Sequence, residues 1–198
     1  MIIKNINISI LAVIFISILI LFLAFVSMLG KNIFYGEGQS LEESMEWQRE
    51  HYDTSFYNGL QKEEFTVKSY DSYVLHGEIL KNPSPSSKYV IISHGYKDTR
   101  YGSLKYASIY LSLGYNCIIY DLRGHGANES TFCSYSVREG KDLAEIVHFF
   151  QAKLGRNAEI GLHGESLGAA TTIASLKDVQ NVSFAVADCG FCLLYTSP

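Results

Sequence analysis

The amino-acid sequence predicts an α/β domain, a mostly parallel sheet with helices on both faces, preceded by an apolar helix. Three observations carry this. From residue 89 onward, short apolar runs of strand length alternate with stretches of helical periodicity, the pattern of consecutive β-α-β units. Three of those runs end directly in glycine-bearing loops that hold serine, histidine, aspartate or arginine, and the ends of parallel strands are where such sheets bind ligands. Residues 8–29, finally, contain no charged side chain.

That first segment is built from Ile, Leu, Val, Phe and Ala with isolated Ser9, Ser17 and Ser27. As a helix it spans about 33 Å, enough for the hydrocarbon core of a bilayer. Phe25-Val26-Ser27-Met28-Leu29-Gly30 lacks the small-residue pattern of a cleavage site, so residues 1–30 are expected to be an uncleaved, single-pass membrane anchor. Lys4 and the amino terminus precede the span, while Lys31 is followed by Glu37, Glu42 and Glu43. That asymmetry orients the N-terminus to the cytoplasm and the domain to the far side. A net charge of -4 gives no basic footprint for nucleic acid.

Residues 31–61 are expected to form a juxtamembrane helix and linker. Ser40 with Glu43 three residues on is a capping-box signal, and Leu41, Met45, Tyr52 and Phe56 recur at helical spacing until Asn58-Gly59. The domain proper is assigned to residues 62–191. Strands at 64–69 and 73–80, joined by a turn at Tyr70-Asp71-Ser72, predict an antiparallel hairpin at a sheet edge. After the surface connection Pro83-Ser84-Pro85-Ser86-Ser87 come apolar runs at 89–92, 115–120, 158–163 and 182–187. Between them lie helices at 104–111, at 136–154 with the stripe Leu143, Ile146, Val147 and Phe150, and at 167–176. Of the four cysteines, Cys117 falls in a core strand, where a buried thiol is ordinary. Cys189 and Cys192 have the spacing of a redox pair, but no helical pattern follows to lower a thiol pKa, so no redox role is assigned to them.

The strongest motif is Gly164-Glu165-Ser166-Leu167-Gly168, directly between a strand and a helix. A serine at such a junction sits on a tight turn that exposes its hydroxyl, and side chains at 164 and 168 would crowd the turn against the neighbouring strand and helix. Ser166 is the candidate nucleophile. In Ser93-His94-Gly95-Tyr96 the glycine lets the backbone pass close to that serine, so that the N–H groups of Tyr96 and Leu167 are candidate donors to an oxyanion. His94 is expected to be a hydrogen-bonded structural residue under the loop, with a general base as the sharper alternative. In Asp121-Leu122-Arg123-Gly124-His125-Gly126 the expectation is a loop held by internal hydrogen bonds and a salt bridge of Arg123 with Asp121 or Glu129. A catalytic Asp121 is the alternative there.

On these three motifs, in this order, the chain resembles the α/β-hydrolase superfamily, in particular bacterial membrane-anchored hydrolases related to the serine aminopeptidase and monoacylglycerol lipase group. The likeness covers about residues 62 to 190. It implies an α/β-hydrolase fold, of which this is the N-terminal part, and a serine hydrolase that cleaves an ester, less readily an amide, of a small-molecule or lipid-like acyl substrate without a cofactor or metal. It also implies a histidine and an orienting aspartate in the C-terminal third. After Ser166 the sequence has no histidine, and its carboxylates are Asp178, too early for the acid, and Asp188, at a strand end and expected at the pocket or cap entrance, with the orienting acid as the alternative. The expectation is a C-terminally truncated sequence, inactive by itself, in which residues 192–198 resemble translated sequencing-adapter DNA and are not native. The competing expectation is a catalytically incomplete, membrane-tethered binding module, and a third is acyl transfer to a cell-envelope acceptor.

Overall fold

The computed structural model describes residues 8–35 and 38–190, which fall into two compact units divided between residues 37 and 38. The expectations for the non-native tail and for Cys192 lie outside the described residues.

The first unit is a single helix, α1 (Ile8–Phe34), whose stretch from Ile10 has a mean hydropathy of 3.1 and is unburied. It is long and apolar enough to cross a membrane. The helix continues past the predicted end at residue 29, because a single Gly30 costs only about 1 kcal/mol in a helix and Lys31 sits favourably in the last turn near the negative end of the dipole.

The second unit begins with α2 (Leu41–His51). Its start is as the sequence indicates: Glu43 N–H donates to Ser40 Oγ at 3.2 Å, and Ser40 N–H donates to the Glu43 carboxylate at 2.8 Å. The predicted single helix to residue 59 is broken, however. Tyr52 turns extended, and Asp53 accepts both the N–H and the hydroxyl of Ser55, offering the backbone an alternative to helical bonding. A short α3 (Ser55–Gly59) follows.

The strands are β1 (Lys62–Lys68), β2 (Val74–Leu80), β3 (Lys88–Ser93), β4 (Asn116–Tyr120), β5 (Glu159–Glu165) and β6 (Ala185–Asp188); the helices between them are α4 (Leu104–Ser112), α5 (Val137–Leu154) and α6 (Leu167–Ser175). They form one sheet in the order β1-β2-β4-β3-β5-β6. β1 and β2 are the expected antiparallel hairpin, with β1 at the edge, and β2 also meets β4 antiparallel. The remaining pairings are parallel, so the sheet is mixed.

Alternate residues of the strands feed two cores. Ile79, Ile91, Ile118 and Leu162 pack with the α5 stripe of Leu143, Ile146, Val147 and Phe150 on one face. Leu80, Val90, Ile92, Cys117 and Ile119 pack with Leu104 and Ala107 of α4 and Met45 of α2 on the other. The chain passes from β3 to β4 on one side and returns to β5 on the other. The loops leaving β3 and β5 therefore flank the crevice at which open α/β sheets bind ligands.

Candidate active site

Between β5 and α6, Ser166 is held at φ 53° and ψ -110°. A non-glycine residue there is strained by about 1–3 kcal/mol and persists only where its surroundings over-determine it. They do so here. Ser166 N–H donates to Asp188 O at 2.9 Å, and Ser166 O accepts from the N–H groups of Ala169 and Ala170, both at 3.1 Å. A Cβ on Gly164 would lie 2.0 Å from Gly168 O, and one on Gly168 would lie 2.1 Å from Ser93 O, so the turn closes against both helix and neighbouring strand only with glycine at both places. Ser166 is half-buried, and among the described residues its hydroxyl makes no hydrogen bond. Leu167 opens α6, where a backbone N–H has no partner within the helix.

The loop after β3 is fixed by His94. Leu122 N–H donates to Nε2 at 2.9 Å, which puts the proton on Nδ1, and Nδ1–H donates to Gly95 O at 2.7 Å. That carbonyl is the far end of the peptide unit whose N–H belongs to Tyr96, so His94 sets the direction of this N–H. Burial pushes the His94 pKa below its ordinary value and keeps the ring neutral. The sequence-based reason for Gly95 needs correction. A Cβ there would meet Ser166 Cβ at 3.8 Å, an ordinary contact, so this glycine leaves the space in front of Ser166 open instead of relieving a clash. The Tyr96 ring lies against that of Tyr135, centroids 5.5 Å apart.

In residues 121–126, after β4, the side chains of Asp121, Arg123 and His125 are all committed to structure. Fully buried Asp121 accepts the N–H groups of Arg100 at 2.7 Å and Ala127 at 3.0 Å. His125 Nδ1–H donates to Arg123 O at 2.8 Å, Nε2 accepts from Lys97 N–H at 3.1 Å, and burial pushes the ring pKa down to about 4. The expected pairing of Arg123 with Asp121 or Glu129 is not what forms. The fully buried guanidinium reaches Asp142 through Nε at 2.8 Å and Nη2 at 2.6 Å, and Asp71 through Nη1 and Nη2, both at 2.9 Å. Burial opposes the charge on Arg123, but the two carboxylates outweigh it and raise its pKa, while Arg123 in turn holds Asp71 well below the usual carboxylate range. A planar fork takes two bidentate carboxylates, and the loop's own acids are too close along the chain to present themselves that way. Asp142 carried a sequence signal: it is a carboxylate one residue from Leu143 and four from Ile146, on the apolar stripe of its helix.

Asp178 is exposed just beyond α6. Asp188, at the end of β6, accepts the Tyr106 hydroxyl at 2.6 Å through its side chain and holds the turn at Ser166 through its backbone. No histidine or carboxylate among the described residues hydrogen-bonds to the Ser166 hydroxyl.

The mixed sheet with helices on both faces and a serine turn between β5 and α6 define an α/β-hydrolase fold of the serine-hydrolase and esterase type. The sequence profile of the serine aminopeptidase S33 family matches residues 84–192, and the chain belongs to that family. It is 34% identical over 135 residues to protein YqkD of Bacillus subtilis (strain 168), covering 67% of this chain and 44% of that protein. Among solved structures it is similar to the esterase Pf2001 of Pyrococcus furiosus, with a TM-score of 0.61 and 27% identity over 69% of this chain and 54% of that one. XC6422 of Xanthomonas campestris, an α/β serine hydrolase without a lid, shares the fold with a TM-score of 0.55 at 16% identity, over 64% of this chain and 60% of that one. The chain thus spans about half the length of these relatives.

Proposed function

We propose that the whole protein is a membrane-tethered serine hydrolase that cleaves an ester, or less readily an amide, of a small or lipid-like acyl substrate. Ser166 Oγ attacks the carbonyl, the N–H groups of Tyr96 and Leu167 hold the oxyanion, and water then releases the acid from the acyl-enzyme. The groups that take the Ser166 proton and orient its acceptor are assigned to a histidine and an aspartate of the whole protein outside these 198 residues; Asp178 and Asp188 are not given that role. The observation that carries the reading is the strained backbone of Ser166 at a strand-to-helix junction, with its hydroxyl left without a partner among the described residues. An alkylfluorophosphonate probe should label the folded whole protein at Ser166, and S166A should abolish labelling. A folded, intact protein that takes no label would instead favour the membrane-tethered binding module.

We assign α1 as the anchor, with the hydrolase domain extracytoplasmic, on the charge asymmetry around it: Lys4 and the amino terminus before, and after it Lys31 followed by Glu37, Glu42 and Glu43. Protease added to intact cells should then degrade the domain. Cleavage seen only after lysis would reverse this orientation.

A further inference from the structure

The residues that follow α1 in sequence reach the turn that carries Tyr96. In residues 95–98 the N–H of Asp98 donates back to Gly95 O at 3.4 Å, and Lys97, third in the turn, takes φ 63°, the sign a type II turn requires at that place and one a lysine adopts only when held. Both backbone groups of Lys97 are held. Its N–H goes to His125 Nε2 at 3.1 Å, and its carbonyl accepts the N–H of Gln39 at 2.8 Å. Next to it, fully buried Ser44 of α2 donates its hydroxyl to Asp98 Oδ1 at 2.7 Å, and the same oxygen accepts Thr99 N–H at 2.7 Å. Two of the groups fixing this turn therefore come from the juxtamembrane segment, 54 residues away in sequence for the Ser44 bond.

The turn matters because Gly95 O, which Asp98 N–H and His94 Nδ1 share, is rigidly tied to the N–H of Tyr96 across one peptide plane. We propose that residues 38–44 are a working part of the catalytic centre: Gln39 and Ser44 hold the turn in the shape that aims Tyr96 N–H at the developing oxyanion, which makes Ser44 and Asp98 positioning residues. This rests on the reading of Tyr96 as an oxyanion donor. A donor is effective only when its direction is fixed before charge develops, so loosening the turn weakens the transition state more than the ground state. The segment that joins the domain to its anchor is then also a determinant of kcat.

The test compares S44A, D98A and D98N in the whole protein, purified in detergent, on a p-nitrophenyl ester. S44A should lower kcat about tenfold, and D98A somewhat more, with KM within about twofold. D98N keeps an acceptor oxygen for Ser44 and Thr99 and should stay close to wild type. Affinity for a trifluoromethyl ketone, which mimics the tetrahedral adduct, should fall in step with kcat, a change that a merely structural role would not produce. S44A and D98A that are folded by circular dichroism and turn over at the wild-type kcat would overturn the inference; should D98A not fold, S44A decides. The wild-type control is alkylfluorophosphonate labelling. A labelled wild type with unaffected variants removes this inference alone, whereas an unlabelled wild type removes the functional reading and this inference with it.

Discussion

The loops that follow β4 and β5 leave the same edge of the sheet and look equally chemical in sequence, one with Asp121, Arg123 and His125, the other with Glu165 and Ser166. In the first, each of the three charged or titratable side chains has its hydrogen-bonding atoms directed at a partner, and two of those side chains are fully buried. In the second, the backbone is strained and the serine hydroxyl has no partner among the described residues. Residue type did not distinguish them. What did was where the polar atoms are satisfied, since buried polar groups are paired for stability, whereas the Ser166 hydroxyl has no partner among the described residues.

The contrast can be broken first at Ser166. S166A should lower kcat/KM of the whole protein by about 10⁴-fold or more while leaving its unfolding midpoint near wild type, the signature of a group that serves chemistry only. The β4 loop should behave in the opposite way. R123A leaves Asp142 buried without its cation and should lower the unfolding free energy by about 3–5 kcal/mol, measured by urea titration. A variant as stable as wild type would show that the paired carboxylates are not what holds this loop.

His94 and His125 both have depressed pKa values in the folded state, so between about pH 6.5 and the folded value, about 4 for His125, the unfolded chain binds more protons than the folded one. Their contribution to stability is therefore complete above pH 6.5 and is lost as pH falls through that window, by up to about 3 kcal/mol for His125. Guanidinium midpoints at pH 7.5 and pH 5 should differ accordingly, and H125Q should flatten the difference. An unchanged slope in H125Q would mean that His125 is not the neutral structural ring described above.

The parts of this molecule legible in sequence are those set by local rules. The elbow follows from glycine spacing at a strand end, and the start of α2 from Ser40 and Glu43. The sheet strands follow from short apolar runs and turns. The break in α2 was missed because helical periodicity ignores the competing bonds that Asp53 makes to Ser55. The partners of Arg123 were missed because they lie 19 and 52 residues away and are selected by packing, with Asp142 on an apolar stripe as the one usable sign. Ser44 and Asp98 carried no sign at all, since nothing in either neighbourhood announces a bond between α2 and the loop after β3.

The sheet order carries a further consequence. Ser93 and Gly164, which precede the two candidate donor loops, pair directly across β3 and β5, while β4 with its flanking helices lies between them in the chain. A peptide spanning residues 164–168 therefore lacks the neighbouring strand against which the Ser166 turn closes. During folding, the site comes into being only when this long-range crossover closes, a slow, non-local step compared with forming α5 or the β1-β2 hairpin. On the proposed role of Ser166, its labelling by a covalent probe would report assembly of the central strands.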